Sequence, residues 1–192
     1  YKKVTEKTKE PNDNLDKALN QIGWCYYNLS DFDNAISNWV KLNTPESNYW
    51  AGFSYFRKEN YLKSIEYFRR IKDNFPKSSL VPDSILKTGD SYYNLKDFNN
   101  AMDCYKDVMN SFSDTKYERD ALYGLSWCFS RLGKEEEAAE TAKKFLKKFP
   151  KEEFSAEVQY KLAGYYYDNK NYKQAIEEYD KFIGNFSDSD LV

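Results

Sequence analysis

The chain has 192 residues and a formal charge of −2, from 29 Lys and Arg against 31 Asp and Glu. No basic run stands out, so the electrostatic footprint of a nucleic-acid binder is missing. It contains no histidine, the commonest general base and metal ligand, and no apolar stretch near the roughly 20 residues that span a bilayer. No cofactor, no catalysis and no direct membrane insertion are therefore expected.

A small residue, an aromatic three positions later and a second small residue twelve positions later recur five times. The first small residues are Gly23, Gly52, Gly89, Ser126 and Ala163, at one interval of 29 and three of 37 residues. The aromatics are Tyr26, Tyr55, Tyr92, Phe129 and Tyr166; the second small residues are Ala35, Ser64, Ala101, Ala138 and Ala175. A fixed period in this range is the mark of stacked supersecondary units, whose core runs along the stack.

In chain order the repeats are expected at about 12–44, 45–77, 78–114, 115–151 and 152–188. Each has two helices about a polar break: Ser30-Asp31, Lys58–Asn60, Asn94–Asp97, Gly133-Lys134 and Asn169–Asn171. The third shows the pattern cleanly. Leu86, Gly89, Tyr92 and Tyr93 share one helix, and Phe98, Ala101, Met102, Tyr105 and Val108 follow at steps of three and four on the next. Nineteen residues after the small residue stand Leu42, Ile71, Val108, Phe145 and Phe182. Phe75-Pro76, Phe112-Ser113, Phe149-Pro150 and Phe186-Ser187 close the later second helices, and Ser78, Ser79, Asp114 or Thr115 are placed to cap the next first helix. The first repeat lacks this foot, so its link through Thr44-Pro45 must be tight. Tyr1 and Val4 ahead of Pro11 match Phe68 and Ile71 ahead of Pro76. Residues 1–11 are thus expected to be the second helix of a preceding repeat, in a longer array.

The three cysteines, Cys25, Cys104 and Cys128, have no CxxC spacing, which argues against zinc or dithiol chemistry. Cys25 and Cys128 share a repeat phase and are expected to be small buried thiols.

These residues resemble the tetratricopeptide repeat family. Its pattern adds an aromatic nine positions after the small residue, here Phe32, Tyr61, Phe98, Glu135 and Tyr172, and a site at sixteen, here Trp39, Phe68, Tyr105, Ala142 and Tyr179. The fourth repeat departs from it at Glu135 and Ala142. The 37-residue spacing with Phe-Pro feet looks like a bacterial cell-envelope branch, which includes the periplasmic protein of the Tol-Pal system and the outer-membrane assembly lipoprotein. The resemblance implies an all-α fold, a right-handed superhelical solenoid of antiparallel helix pairs. It also implies a bacterial periplasmic or envelope address, with the cytoplasm as the alternative.

In that fold the first helices line a concave groove. Carried over by phase, the groove residues are Trp24, Tyr27, Tyr49, Phe53, Phe56 and Arg57, then Asp90, Tyr93, Tyr123, Trp127 and Arg131, and finally Tyr160 and Tyr167. Tyr and Trp combine large contact area with a polar tip and are enriched at binding hot spots. The other reading of these rings is that they brace adjacent hairpins. The Asn that clamps a carboxylate directly after the small residue in cochaperone members is absent: the positions read Trp24, Phe53, Asp90, Trp127 and Gly164. The implied ligand is a protein or peptide segment with apolar or aromatic anchors. The acidic clusters Glu135–Glu137 and Glu177-Glu178 lie on charged helix faces, where solvation is their default role. A structural spacer or self-assembly segment, attached to other domains, is the alternative to a binding scaffold.

Overall fold

The computed structural model describes residues 13–152 and 154–187. The helix expected within residues 1–11 lies outside them. Among the described residues there are ten α-helices and no strand: α1 (Asp13–Asn28), α2 (Phe32–Trp39), α3 (Pro45–Arg57), α4 (Tyr61–Asn74), α5 (Val81–Asn94), α6 (Phe98–Ser111), α7 (Lys116–Arg131), α8 (Glu135–Lys148), α9 (Ser155–Asp168) and α10 (Tyr172–Asn185). The chain forms two compact units, residues 1–80 with α1–α4 and residues 81–192 with α5–α10. Among the described residues no helix is long and apolar enough to cross a membrane.

One turn closes every hairpin, and it is built from the backbone. The amides of Ser30 and Asp31 donate to the carbonyls of Tyr27 and Tyr26, and the same crossed pair recurs after α3, α5, α7 and α9. This is the Schellman closure, which satisfies orphan carbonyls of the first helix and needs a left-handed residue just past its end. That residue is Ser30, Glu59, Lys96, Gly133 or Lys170, with φ between 59° and 69°. The next residue starts the second helix. Asp31, Asn60 and Asp97 accept a bond from the amide three residues on. Lys134 has no acceptor to offer, and α8 instead carries Glu135, Glu136 and Glu137 in its first turn, where the helix dipole favours negative charge.

The first three hairpins are locked where the small residue of the first helix meets the side chain sixteen positions later. A β-carbon at Gly23 would stand 2.6 Å from the Trp39 ring, one at Gly52 3.2 Å from Phe68, and one at Gly89 2.8 Å from Tyr105. Trp39 and Phe68 are fully buried. Ile71, Val108 and Phe145 are fully buried one turn further on. In the fourth pair the roles invert. Ser126 replaces glycine, Ala142 replaces the ring, and a cavity of about 40 Å³, room for about one water, remains beside them.

The first hairpin differs because α2 has 8 residues where α4, α6, α8 and α10 each have 14. Leu42 therefore falls beyond its helix, in a tight link that ends in a capping box. The amide of Ser47 donates to Oγ1 of Thr44, the amide of Thr44 donates to Oγ of Ser47, and Pro45 opens α3.

Two expectations about local chemistry are corrected. Cys128 is buried, but Cys25 is exposed, because no described helix covers that side of α1 as α5 and α6 cover α7. Thr115 does not cap α7 by accepting a bond. Its hydroxyl donates to the Phe112 carbonyl at 2.6 Å, and Glu118 reaches back to accept from the Asp114 amide at 2.6 Å. Glu118 is 3% exposed and is balanced by the Lys148 ammonium, 2.7 Å from Oε2.

Candidate functional site

Within residues 1–80 the expected groove residues form one ring cluster. Trp24 meets Trp50 at 4.3 Å and Trp39 at 5.7 Å between centroids. Tyr27 lies against Phe53, which stacks on Tyr49 on one side and Phe56 on the other, each near 6.3 Å. The Arg57 guanidinium sits 5.6 Å from the Phe32 centroid. Trp24, Tyr27, Phe53 and Phe56 are half-buried, so each stays partly exposed to solvent. Tyr49 differs from the expectation: it is 8% exposed and its ring meets Phe68 edge-on, which makes it a packing residue.

Four groove positions also act as turn braces. Tyr27, Phe56, Tyr93 and Tyr167 each meet the aromatic five residues later, Phe32, Tyr61, Phe98 or Tyr172, at 5.3–5.7 Å across the turn. The residue four after the small one therefore has one ring face committed to its own hairpin.

Within residues 81–192 the geometry opens. A cleft of about 490 Å³ lies between α5 and α7, with Leu86, Tyr105 and Gly124 in its lining and Tyr93, Tyr123, Trp127 and Phe154 supplying aromatic walls. It collects five of the expected groove residues: Asp90, Tyr93, Tyr123, Trp127 and Arg131. The Tyr105 hydroxyl donates to Oδ1 of Asp90 at 2.9 Å, and the Lys87 ammonium donates to Oδ2 at 2.8 Å. Burial, then the Asp90 charge, pushes the Tyr105 hydroxyl well above the ordinary tyrosine range. Burial works against the Lys87 charge, yet Asp90 outweighs it and holds its pKa above the usual lysine value. Tyr123 stacks on Phe154 at 4.2 Å and 14°, and its hydroxyl donates to Oε2 of Glu157 at 2.6 Å. Arg131 donates from Nε to the Tyr93 hydroxyl at 3.0 Å, and the Lys161 ammonium lies over the Trp127 ring. Burial depresses the Lys161 pKa.

Tyr160 and Tyr167 are 46% and 58% exposed, on α9, and are not part of this cleft. Tyr160 packs on Tyr179 and Phe182 of its own hairpin.

Reading by phase missed Asp83, Lys87, Asp120, Gly124 and Phe154. A signal for two of them was present. An acid stands six residues before the small residue in four successive repeats, at Glu46, Asp83, Asp120 and Glu157. Phe154, on the loop ahead of α9, has only a looser cue, a large apolar residue nine before the small one at Leu80, Tyr117 and Phe154. No group of three or more metal-ligating side chains converges among the described residues.

No curated protein matches the chain. Solved structures do. The crystal structure of MamA protein superposes with a TM-score of 0.75 at 17% identity, covering 90% of this chain and 92% of that one. MamA 41-end from Desulfovibrio magneticus RS-1 gives 0.74 at 16% identity, covering 92% and 98%. PilF of Pseudomonas aeruginosa gives 0.69 at 15% identity, covering 90% and 77%. At these identities the likeness shows an all-α solenoid fold. The sequence pattern of the tetratricopeptide repeat matches residues 46–78, 83–115, 120–152 and 157–189, and with more than half of its length so matched, the chain belongs to the tetratricopeptide repeat family.

Proposed function

We propose that this chain is a non-enzymatic scaffold for protein–protein interaction, and that its aromatic first-helix face holds a partner segment with apolar or aromatic anchors. The observation that carries this reading is the α5–α7 cleft, where five aromatic residues stand beside two cations and three carboxylates without closing the space between them. Clefts of a few hundred Å³ with apolar walls and few polar groups are the usual form of a binding site. Rings already fixed by Phe154, Phe98 and the flanking cations lose little freedom on binding, which lowers the cost of holding a peptide. The ring cluster of α1 and α3 is the second candidate seat, through the exposed parts of Trp24 and Phe53.

A spacer or self-assembly segment is the rival reading, favoured by the outer face of α10, where Tyr172, Ile176 and Ile183 are 54–60% exposed. Affinity capture from the native organism, followed by cross-linking, separates the two. The scaffold reading expects Trp127→Ala and Phe53→Ala each to weaken the partner by about 1–2 kcal/mol or more with helical content unchanged. Wild-type affinity in both variants, with cross-links on the second helices, overturns it. The repeat spacing and Phe-Pro feet support a bacterial cell-envelope setting. A signal or lipoprotein sequence encoded upstream fits that setting, and a cytosolic start overturns it.

A further inference from the structure

Three first helices bury the same stripe. Five and one positions before the small residue stand Ser47 and Ala51 in α3, Ala121 and Leu125 in α7, and Val158 and Leu162 in α9, each at most 5% exposed. Their cover comes from the preceding second helix. Ala51 shares a core cluster with Ala35 and Trp39 of α2, and Val158 and Leu162 share one with Ala139 and Phe145 of α8. On α1 these positions hold Ala18 and Ile22, with Cys25 one turn further on, and all three are exposed, Ile22 at 43%. They are close in size and kind to Ala121, Leu125 and Cys128, the residues that α7 buries at the same phase.

The other half of that packing also repeats. Thirteen positions after the small residue, Ile36 of α2, Met102 of α6 and Ala139 of α8 are 4–6% exposed. Two turns on, Met109 and Leu146 pack against the core. The corresponding residues of α10 are Ile176 and Ile183, 60% and 56% exposed, with Tyr172 at 54% a turn before them. An apolar stripe left in water along a helix marks a surface that another element covers. At this phase the covering element in the other hairpins is a first helix.

We infer that the two stripes are halves of one interface, and that α10 of one copy docks on α1 of a second copy. The contact repeats between molecules the packing that α2 makes on α3 and α8 on α9 within one. Ile176 and Ile183 take the part of Met102 and Met109, and Ala18, Ile22 and Cys25 of the second copy take the part of Ala121, Leu125 and Cys128. Sixteen positions after the small residue, Tyr179 stands where Trp39 meets Trp50 and Tyr105 meets Gly124. Its neighbour in the second copy is Gln21, whose amide can bond the phenol. Each copy carries one stripe of each kind, so the interface is heterologous and association runs on past the dimer, into a ring or an open chain. This goes beyond the scaffold reading and is compatible with it, since neither stripe contributes a residue to the α5–α7 cleft.

Sedimentation equilibrium of the full chain over about two decades of concentration reads the association. The mean mass of the wild type should climb with concentration and pass that of a dimer. Ile22→Lys breaks only the α1 stripe and Ile176→Lys only the α10 stripe, and each should raise the dissociation constant at least about tenfold. Mixed in equal amounts, the two variants hold one intact stripe of each kind. They should recover a dimer at wild-type affinity and form nothing larger. Circular dichroism checks that each variant keeps its helices, and Ile22→Gln or Ile176→Gln replaces a lysine variant that unfolds. A wild type that stays monomeric throughout overturns the inference. So does loss of association in Ile176→Lys alone, which means that α10 pairs with α10 of the second copy. Association that survives both substitutions, or a mixture that recovers no dimer, overturns it as well.

Discussion

Gly124 of α7 faces Tyr105 of α6 so closely that a β-carbon there would lie 2.6 Å from Cζ of the ring. Gly89 approaches the same ring from α5, and its β-carbon would lie 2.8 Å from Cε1. Tyr105 is thus gripped between its own hairpin and the next, and its hydroxyl is tied to Asp90 in the cleft. The side chain that locks one repeat to another also sets the floor of the candidate site.

Adding one methyl group on either side of this ring should be felt as overpacking. Gly124→Ala and Gly89→Ala are each expected to cost about 1–3 kcal/mol. Gly164 is the contrast, since the nearest atom to its β-carbon would be the Tyr179 hydroxyl at 3.9 Å. Gly164→Ala should stabilise by up to about 1 kcal/mol through helix propensity and a less flexible unfolded chain. Urea midpoints measure all three, and a loss at Gly164 equal to that at Gly124 would refute the distinction.

The hairpin turns give a second prediction. Lys96 holds φ at 62°, in the region that costs an L-residue about 1–2 kcal/mol, whereas Gly133 occupies the same turn position at 69° without that strain. Lys96→Gly should therefore stabilise by about 0.5 kcal/mol or more after the glycine entropy cost. Gly133→Ala should destabilise by about 1 kcal/mol, with no packing contribution because nothing lies within 4 Å of its β-carbon. Thermal melts that move the other way in both variants would show that the turn is held by something other than backbone preference.

Three groups with raised pKa values, Tyr105 and Cys128 buried and Tyr123 half-buried, make stability fall at high pH. Burial and the Glu157 bond push Tyr123 up to about 12, burial and Asp90 push Cys128 up to about 12, and Tyr105 is raised further by the same causes. The folded state keeps these protons while the unfolded chain begins to lose them near 9.0 for cysteine and 10.0 for tyrosine. Folded protein then binds more protons than unfolded, so stability is full below pH 9 and declines as pH rises toward 12. Tyr123→Phe should flatten part of that decline. Urea titrations at pH 8, 10 and 11 read it directly, and identical slopes for the variant and wild type would remove Tyr123 from the account.

The repeat phase was legible because its cause is steric. Gly23, Gly52 and Gly89 must be small to admit Trp39, Phe68 and Tyr105, and that rule leaves a fixed interval in the sequence. The groove was only partly legible. Exposure of a ring depends on what covers it, so Tyr49 and Tyr123 share a phase while one is buried and the other lines a cleft. Phe154 was legible only as an apolar position nine before the small residue, shared with Leu80 and Tyr117, and its stacking on Tyr123 is set by the path of a loop. The exposure of Cys25 eluded phase for the same reason: its counterpart Cys128 is covered by a neighbouring hairpin, and phase does not record neighbours.

The fourth hairpin tests the steric rule by exchange. Where the first small residue is glycine, a ring fills the site sixteen later. Where it is Ser126, residue 142 is alanine, 5% exposed, beside a cavity of only about 40 Å³. Ala142→Tyr alone has no room for its ring and should cost about 1–3 kcal/mol by overpacking. Ser126→Gly alone removes helix propensity worth about 0.5 kcal/mol and enlarges the void. Together they recreate the Gly89–Tyr105 arrangement, and the ring enters the space the serine left. Lys161 faces this site from α9, much as Trp50 faces Trp39, whose ring it meets at 6.4 Å, so a large neighbour there does not exclude an aromatic. The double variant should therefore be more stable than the sum of the single effects by about 1–2 kcal/mol. Denaturant unfolding of the four proteins in the cycle measures that coupling. Additive effects would mean that residues 126 and 142 are not the two halves of one contact, and that the small-residue rule of the other hairpins does not govern this one.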